Sequence, residues 1–463
     1  MKMKFSWPDK SVVSQGAFEV VKKLRKAGFE TYIAGGAVRD ALLKRKIQDI
    51  DIATAALPAQ VKKLFAKTIP TGEKHGTITV RLNDTNYEVT TFRSESAYEG
   101  HRRPKAVKFI ASGEKDAQRR DFTINALFFD LQAGEIIDYA EGINDLKRRQ
   151  IRLVGNPDAR LKEDALRLAR AVRFATILNF KLEREARGAI ERNAKLITKI
   201  SAERVKQELD KIIMSDKPSV GIGLLDVVGL LKYILPELKA CQDVTQPSDT
   251  HSEGDVYAHS LLALENSPQD ADLPTRYAIL FHDVGKPQTR SVKNGKIIFY
   301  GHNETGAEIA KKICKRLKFS GAESDKIAWL VKNHMVLFEI DKMKLSTRRK
   351  WALTPYFADL LRLNTADSAA GLRPSGKAFN NSKILKLGQA ALKEIKLTPS
   401  LSKPIVSGND VMKILKIKPG PQVGKILKHL EEKKLANKIK TKDEALKYLK
   451  RKRNYFLKVR STT

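Results

Sequence analysis

Hydrophobic and polar residues recur with two different periods along this chain, and the change of period divides it into a mixed region and a helical region. Alternation with period two over residues 76–82 and 87–92, with turn-forming residues 83–86 between them, predicts a β-hairpin. A short apolar run over residues 32–34 predicts a strand that stops at a Gly-Gly pair. From residue 158 to residue 200 apolar residues recur at helical spacing, which predicts helix in that segment.

The first 150 residues contain further elements with less regular patterns. Residues 1–30 are predicted to form a helix, and residues 57–66 a second one. Residues 94–120 are polar and irregular, which is typical of a long functional loop. The apolar run 122–129 has to be buried, and residues 134–139 predict the last strand of this region.

Two acidic residues follow the Gly-Gly pair at a spacing that indicates a metal site. A helical pattern occupies residues 37–44, and the strand predicted after it carries Asp49 and Asp51. Side chains two residues apart in a strand point to the same face, so the two carboxylates converge and repel each other unless a cation lies between them. A Mg²⁺ ion bound by carboxylates and substrate phosphates removes that conflict.

The Gly35-Gly36 turn complements the acidic pair. Unobstructed backbone N–H groups at a helix start suit a phosphate, and Arg39 adds a charged fork one turn further on. Strand, glycine turn, helix and D-x-D strand together describe a nucleotidyl-transfer centre, with metal on the carboxylates and triphosphate on the glycine turn. Glu88 is a candidate third carboxylate if its hairpin lies beside the D-x-D strand, and an exposed strand glutamate otherwise.

The net charge of +34 is the strongest signal in the composition. Such an excess of cations favours a polyanionic partner, because neutralised phosphates release counterions; a basic solvated surface is the alternative. No apolar run approaches the roughly 18 residues of a membrane span, and the N-terminus lacks an apolar signal core. Cys241 and Cys314 are too few for a disulfide framework, so we expect a cytoplasmic protein without a membrane partner.

A basic stripe lies in the helical region. Arg167, Arg170 and Arg173 recur every three residues and share one side of the predicted helix. Asp164 precedes Arg167 by three residues, a spacing that makes them neighbours on a helix surface. The pair is either an ordinary ion pair within the helix or a hydrogen-bonding edge presented to a nucleobase.

Five motifs, in this order, resemble those of the class II tRNA nucleotidyltransferases (CCA-adding enzymes) and the related bacterial poly(A) polymerases. They lie between residues 31 and 215 and read GGAVRD with DIDIAT, RRDFTINAL, DYAEGINDL, EDALRLARAVRF and SAERVKQELDKIIMS. The resemblance implies an α+β protein with a small mixed-sheet nucleotidyltransferase head and mostly α-helical remaining parts. The implied domains are the catalytic head (1–150), a helical neck with a nucleobase-reading motif (151–240), an HD-type helical body (241–375) and a basic helical tail (376–463).

The same resemblance implies the reaction and assigns residues to it. A nucleotide passes from CTP or ATP to the 3′-hydroxyl of a tRNA without a nucleic-acid template, and pyrophosphate is released. Asp49 and Asp51 are implied to bind Mg²⁺, and Asp164 and Arg167 to read the base. The residues implied to hold the nucleotide are Gly36, Arg39 and Arg120. Arg170 and Arg173 are implied to support the base-reading pair.

Two further segments bear on the choice within the family. TGEKHGTITV at residues 71–80 and the segment SGNDVMKILKIKPGPQVGKILKHLEE are similar to CCA-adding members. Enzymes that add only the terminal A are expected to lack a long loop between Phe92 and Arg120, and this chain has a long segment there. CCA addition is therefore the expected activity, while CC-only addition and poly(A) synthesis stay as alternatives.

A second group of motifs occurs in the body. YAHSL, FHDVGK, GHNETGA, NHM and NTADSAA together resemble the HD phosphohydrolase superfamily, which implies divalent-metal ligands at His259, His282, Asp283, His302, His334 and Asp367. Such imidazole and carboxylate sets hold one or two divalent ions, here Ni, Mn, Fe or Mg, and activate water. A fold does not establish an activity. The domain either hydrolyses 2′,3′-cyclic phosphates or 2′-nucleotides, or only shapes the body.

The tail is the most basic part of the chain. Residues 396–463 hold 19 Lys and Arg against 5 Asp and Glu. Tyr448, Tyr455 and Phe456 lie among these cations, a pattern consistent with phosphate contact and base stacking; a solvated helix face is the alternative. The expected partners are the 3′ end and acceptor arm of tRNA, with CTP and ATP as substrates and the oligomeric state left open. The rival function is a metal-dependent HD phosphohydrolase whose head only binds RNA.

Overall fold

The computed structural model describes residues 1–99, 103–247, 252–373 and 375–458, with the backbone alone for residues 95–99, 103–107 and 458. The chain divides into two compact units, the N-terminal unit Met1–Lys239 and the C-terminal unit Ala240–Thr463. The finer domain limits within each unit stay predictions. Among the described residues, no helix combines the length and the apolarity that a membrane crossing requires.

The N-terminal unit combines one large mixed sheet with helices. Its strands are β1 (Lys2–Lys4), β2 (Thr31–Ala34), β3 (Asp51–Thr54), β4 (Thr68–Gly72), β5 (Thr77–Leu82), β6 (Thr85–Thr91), β7 (Arg93–Glu99), β8 (Arg103–Phe109), β9 (Leu127–Asp130), β10 (Glu135–Asp138), β11 (Gln150–Ile151) and β12 (Lys181–Leu182). Its helices are α1 (Val12–Lys26), α2 (Gly36–Leu42), α3 (Pro58–Leu64), α4 (Gly113–Arg119), α5 (Gly142–Arg148), α6 (Pro157–Glu163), α7 (Leu166–Leu178), α8 (Arg184–Asn193), α9 (Ala202–Ile213), α10 (Pro218–Val227), α11 (Leu231–Ile234) and α12 (Pro236–Lys239).

Eight of these strands form the main sheet, in the order β1-β10-β9-β2-β3-β6-β5-β4. Strands β3 and β6 run parallel with Ile52 opposite Val89, whereas the other neighbouring strands are antiparallel. Helices α1 and α3 pack against this sheet, and α2 packs against β2 and β9. The parallel pairing places Glu88 beside Asp51, which is the condition under which Glu88 is a candidate third carboxylate; its role as a metal ligand stays a prediction.

Several predicted elements are present with small changes in their limits. The β5–β6 hairpin turns at Asn83 and Asp84, which both have positive φ, as a two-residue hairpin turn requires. The prediction of one helix over residues 1–30 is wrong. Strand β1 pairs with β10, and α1 begins only at Val12, where the Ser11 side chain accepts a hydrogen bond from the N–H of Ser14.

The prediction of an irregular loop over residues 94–120 is also wrong. This segment forms the antiparallel hairpin β7–β8 and helix α4, while residues 100–102 lie outside the described part. A two-stranded ribbon satisfies its backbone hydrogen bonds between its own strands and needs no continuous apolar face. The polar composition therefore did not reveal it.

In its described residues, the C-terminal unit consists mainly of helices and contains one hairpin. Its strands are β13 (Arg290–Lys293) and β14 (Lys296–Phe299). Its helices are α13 (Val256–Glu265), α14 (Leu273–Phe281), α15 (Lys286–Thr289), α16 (His302–Arg316), α17 (Gly321–Asn333), α18 (Leu345–Ala352), α19 (Phe357–Ala370), α20 (Ser382–Leu397), α21 (Gly408–Leu415), α22 (Pro421–Leu435), α23 (Lys442–Arg451) and α24 (Arg453–Lys458). Helices α13, α14, α17 and α19 pack on one another.

The tail has its own apolar core. Buried residues of α21, α22, α23 and α24 form one cluster that includes Leu430 and Phe456, and Tyr448 packs against it. The ring of Tyr448 stacks on His429. Of the three aromatic residues predicted to stack on bases, only Tyr455 is exposed. The interleaving of rings and cations therefore reflects, in large part, an amphipathic packing pattern.

The buried Arg349 joins three segments of the C-terminal unit. Its guanidinium pairs with Glu394 of α20 and donates to the carbonyl of Leu435 and to the side-chain oxygen of Asn437. The residue is 3% exposed. Such a group is costly to disturb, because its removal leaves a carboxylate and a carbonyl without their donor.

Replacing Arg349 by alanine tests this arrangement. We expect Arg349→Ala to lower the free energy of unfolding of the C-terminal unit by about 3 kcal/mol, whereas Lys342→Ala, which breaks only the exposed pair with Glu339, changes it by less than about 0.5 kcal/mol. Urea denaturation followed by the fluorescence of Trp329 and Trp351 measures both. Equal stabilities of the two variants would contradict the role of Arg349.

Candidate functional site

Two adjoining cavities in the N-terminal unit contain all the residues predicted for its site. The first head cavity, of about 410 Å³, and the second head cavity, of about 640 Å³, share Asp51, Arg120, Asp121 and Arg170 in their walls. The first also contains Glu88, Asp164 and Arg167; the second also contains Gly36, Arg39, Asp49 and Arg173.

The acidic pair points toward solvent at the start of β3. Asp49 and Asp51 are exposed while Ile50 and Ile52 are buried, so the extended alternation is present although the strand itself begins only at Asp51. Asp51 lines both head cavities. Restricted hydration of its carboxyl group raises the pKa; neighbouring Glu88 raises it further, and Arg120 opposes the shift. This concentration of negative charge is the electrostatic setting that a divalent cation stabilises.

The glycine turn is shaped by Gly35, one residue before the predicted Gly36. Gly35 has φ of 71°, in the region that favours glycine, and its N–H donates to the carbonyl of Leu127. A Cβ atom at Gly35 would lie 3.1 Å from Nη1 of Arg120. Gly36 begins α2. The turn therefore brings backbone close to a guanidinium and a carboxylate.

Arg120 is held by groups that the sequence did not single out. Its Nε and Nη2 donate to Oδ2 of Asp116 at 3.2 and 3.1 Å, and its Nη1 donates to the carbonyl of Asn125. Burial by itself raises the pKa of Asp116, but Arg119 and Arg120 outweigh it and hold the pKa below the usual value. The side chain of Asn125 also accepts from Arg39 at 2.7 Å. A polar Asn within the apolar run 122–129 was the available signal.

The predicted helix is broken between Asp164 and Arg167. Helix α6 ends at Glu163, Asp164 has extended φ and ψ of −133° and 101°, and α7 begins at Leu166. Asp164 is therefore not paired with Arg167 on one helical surface, which corrects the ion-pair interpretation. Instead, Asp164 accepts from Leu166 N–H and lies 3.5 Å from Arg204, while Arg167 donates to Glu163 and to the carbonyl of Arg160. Both side chains nevertheless line the first head cavity.

The other two arginines of the stripe are neutralised by acids. Arg170 pairs with Asp121 at 2.5 and 2.9 Å, and Arg173 lies 2.7 Å from Glu208. Burial alone raises the pKa of Asp121, yet the contact with Arg170 lowers it to about 2. Burial lowers the pKa of Arg173 to about 10 despite Glu208. The stripe is therefore a set of partly buried ion pairs at the cavity wall.

The C-terminal unit brings all six predicted HD residues together. His259, His282 and Asp367 form one group, and Asp283, His302 and His334 form another, each with its ligand atoms within 4.8 Å of one another. The separations between neighbouring Nε2 atoms are 3.2 Å, both for His259 with His282 and for His302 with His334. Asp283 directs Oδ2 toward His282 at 3.2 Å and Oδ1 toward His302 at 3.5 Å.

The outer atoms of these imidazoles are fixed by hydrogen bonds. Nδ1–H of His282, His302 and His334 donates to the carbonyls of Ile279, Phe299 and Val331, each at 2.7 Å. The Nε2 atoms of His302 and His334 then carry lone pairs that face each other, and two acceptors at 3.2 Å repel unless a cation lies between them. Burial, with the adjacent His282, lowers the pKa of His334 to about 3, which keeps it in the neutral form that binds metals. The residues therefore fit a divalent metal site.

Two supporting residues of this cluster were missed. Glu253 accepts from Nδ1 of His259 at 2.7 Å and from the N–H of Leu372. Lys286 lies 2.6 Å from Oδ2 of Asp283 and donates to Gln246. Lys286 falls inside FHDVGK, four residues after His282, so that motif was its signal, whereas nothing in the sequence around Glu253 indicates a contact with His259.

Comparison with family models gives three matches along the chain. The poly A polymerase head domain matches residues 31–152, the probable RNA and SrmB-binding site of polymerase A matches residues 179–242, and the HD domain matches residues 250–367. Together they cover most of the chain from the β2 strand to α19.

Individual relatives agree with these models. The CCA-adding enzyme of Streptococcus gordonii is 34% identical over 417 residues, which is 90% of this chain and 92% of that one. The match with the enzyme of Ligilactobacillus salivarius is 48% identical but spans about half of each protein, 47% of this chain and 54% of that one. The solved Bacillus stearothermophilus CCA-adding enzyme in complex with CTP is 27% identical, with a TM-score of 0.73 over 97% of this chain and 99% of that one. The chain therefore belongs to the family of CCA-adding enzymes.

Proposed function

We propose that the two head cavities form the nucleotidyl-transfer centre of this enzyme, which adds CCA to the 3′ ends of tRNA from CTP and ATP. The proposal rests on one observation. Asp49, Asp51 and Glu88 line the same two adjoining cavities as the arginines of α2, of the segment between α4 and β9, and of α7. A carboxylate group beside a cationic wall suits a metal-bound triphosphate. The activity and its substrates follow from the family, while the assignment to residues is ours.

The enzyme depends on divalent metal, and we assign Mg²⁺ to the head. Asp49 and Asp51 would hold it, with Glu88 as a third carboxylate beside Asp51. The chemistry that such an ion supplies when bound is a lower pKa of the attacking 3′-hydroxyl and neutralisation of charge on the phosphates. Arg39 and Arg120, fixed by Asn125 and Asp116, orient the triphosphate for in-line attack.

Base selection is assigned to Asp164 and Arg167. The break between α6 and α7 frees Asp164 from helical geometry, and Glu163 together with the Arg160 carbonyl holds Arg167 in one orientation. An acceptor and a fork of donors on the wall of one cavity present a hydrogen-bonding edge to a base. Cytosine and adenine differ in that edge, so the protein itself replaces a nucleic-acid template. We further propose that the basic tail contacts the tRNA body, and that the enzyme acts in the cytoplasm.

Sizing of extended tRNA tests the function. With transcripts that end at the discriminator base, Mg²⁺, CTP and ATP, we expect growth by three nucleotides on a denaturing gel. Growth by two that ATP cannot extend would indicate a CC-only enzyme, and a long ladder with ATP alone would indicate poly(A) synthesis. No growth would leave the HD cluster as the active centre.

Removal of either carboxylate tests the metal assignment. We expect Asp49→Ala and Asp51→Ala each to abolish transfer in the same assay, because each removes one of the two carboxylates assigned to the ion and Glu88 lies at a different position, on the neighbouring strand. Asp84→Ala, which removes an exposed acid at the tip of the β5–β6 hairpin, is the matched control and should keep full activity. Activity surviving in either cavity variant would refute the metal assignment.

Replacement of Arg167 tests base selection. We expect Arg167→Ala to reduce the preference for CTP over ATP at the first position by roughly 10-fold or more, since each lost hydrogen bond to a base edge is worth about 1–2 kcal/mol. The overall rate should fall less than the preference. Single-turnover incorporation of each nucleotide measures both, and an unchanged preference would contradict the assignment.

For the C-terminal unit we propose a divalent metal site with a secondary phosphohydrolase activity. The two oxygens of Asp283 face the two groups of ligands separately, which suits two ions that share one carboxylate. The HD cluster and the two head cavities share no residues, so we expect mutations to separate the two activities.

Metal analysis tests this site. In an Asp49→Ala/Asp51→Ala background, which removes the head site, we expect about two equivalents of Mn²⁺ or Ni²⁺ per chain by mass spectrometry after gel filtration. His302→Ala should retain about one equivalent, whereas His429→Ala, a histidine packed on Tyr448 away from the cluster, should retain both. A metal content that is unchanged in His302→Ala would contradict the assignment.

A further inference from the structure

Three guanidinium groups surround one aromatic ring at the wall of the second head cavity. The ring centroid of Phe174 lies 4.0 Å from the guanidinium of Arg173, 5.2 Å from that of Arg39 and 5.4 Å from that of Arg170. Arg170, Arg173 and Phe174 belong to α7, whereas Arg39 belongs to α2. Phe174 is 7% exposed and lines the cavity with the three arginines.

The orientation of the ring is determined by its neighbours. Phe122 contacts it edge-on, with a centroid distance of 5.4 Å and an interplanar angle of 74°. Phe122 is fully buried in the apolar run that ends in β9. Arg170 and Phe174 are four residues apart on α7, so the helix itself brings these two side chains together. The ring is thus held by the head on one side and by its own helix on another.

Three cations around one ring repel one another, and the chain compensates in two ways. Each guanidinium lies beside an acid, Asp40 for Arg39, Asp121 for Arg170 and Glu208 for Arg173, and Glu208 is also 4.0 Å from Arg170. The ring adds attraction through its negative π-face without adding net charge. A further carboxylate at the same place would repel an anionic ligand, whereas the uncharged ring holds the guanidinium groups without adding negative charge to the cavity wall.

We propose that Phe174 is a positioning residue that holds Arg39, Arg170 and Arg173 as one cationic wall for the triphosphate of the incoming nucleotide. The inference rests on the proposed function, because it takes the nucleotide to bind in this cavity. The ring acts through the arginines. Because CTP and ATP share the triphosphate, loss of the ring weakens the binding of both nucleotides equally and leaves the choice between them unchanged.

The experiment compares Phe174→Leu with Phe174→Tyr in the full-length enzyme. Leucine keeps an apolar side chain but removes the π-face, whereas tyrosine keeps it. We expect Phe174→Leu to raise KM for CTP and for ATP by the same factor, roughly 10-fold or more for the loss of three cation–π contacts. KM for tRNA and kcat should stay within about twofold of wild type, and Phe174→Tyr should restore KM for both nucleotides. Phe174→Met provides the same test if the leucine variant does not purify.

Phe129→Leu is the matched control for lost packing. Phe129 is a buried ring of the same unit that rests against Phe5 and Trp7. We expect it to lower Tm as Phe174→Leu does, but to leave KM for both nucleotides unchanged.

Two results would overturn the inference. One is a wild-type KM for CTP and ATP in Phe174→Leu. The other is a uniform loss of activity in Phe174→Leu and Phe129→Leu, which would make the ring a packing element only. Failure of the proposed function has a different signature, since wild-type enzyme would then extend no tRNA and Asp51→Ala would change nothing.

Discussion

The head depends on arginines and acids that neutralise one another before any substrate arrives. Asp116 holds Arg119 and Arg120, Asp121 holds Arg170, and Glu208 holds Arg173. A buried charge without a partner costs several kcal/mol, so each acid determines where its arginine can lie. These pairs also join separate segments, since Asp121 precedes β9 whereas Arg170 lies on α7. Both cavities exist because the segments that carry these charges are held together at their walls.

The HD cluster also brings groups of like character together, but these are hydrogen-bond acceptors rather than cations. Three of the four imidazoles donate their outer N–H groups to backbone carbonyls and His259 donates to Glu253, while the Nε2 atoms face one another and the carboxylates of Asp283 and Asp367. In the head, acids keep cations in place for an anionic substrate. In the cluster, backbone carbonyls keep acceptors in place for a cation. In both, hydrogen-bonding atoms turned away from the site set the orientation of the atoms turned toward it.

Much of the fold and of the site was predictable, because residue periodicity, turn residues and motif spacing specify structure over a few neighbouring residues. Period-two alternation and a two-residue turn located β5–β6, and the spacing of Asp49 and Asp51 placed both carboxylates outside the core. Errors arose where the outcome depended on distant contacts. Strand β1 forms because it pairs with β10, which lies more than 130 residues later in the chain. The hairpin β7–β8 is a different case, because its pairing is local but rests on backbone hydrogen bonds that its polar side chains do not reveal. Phe456 is buried because the tail helices enclose it, although cations surround it in sequence.

The sequence by itself determined the family, the acidic pair, the glycine turn and the six HD residues, because each lies in a short motif whose chemistry can be read from residue types and spacing. Only the tertiary structure decided that Asp164 lies in a break between helices, that Glu253 supports His259, and that Arg39 meets Arg170 and Arg173 around Phe174. The contact of Glu253 with His259 spans six positions, and that of Arg39 with Phe174 spans more than a hundred. Their energy comes from burial and from charge pairing between elements, which no local pattern encodes.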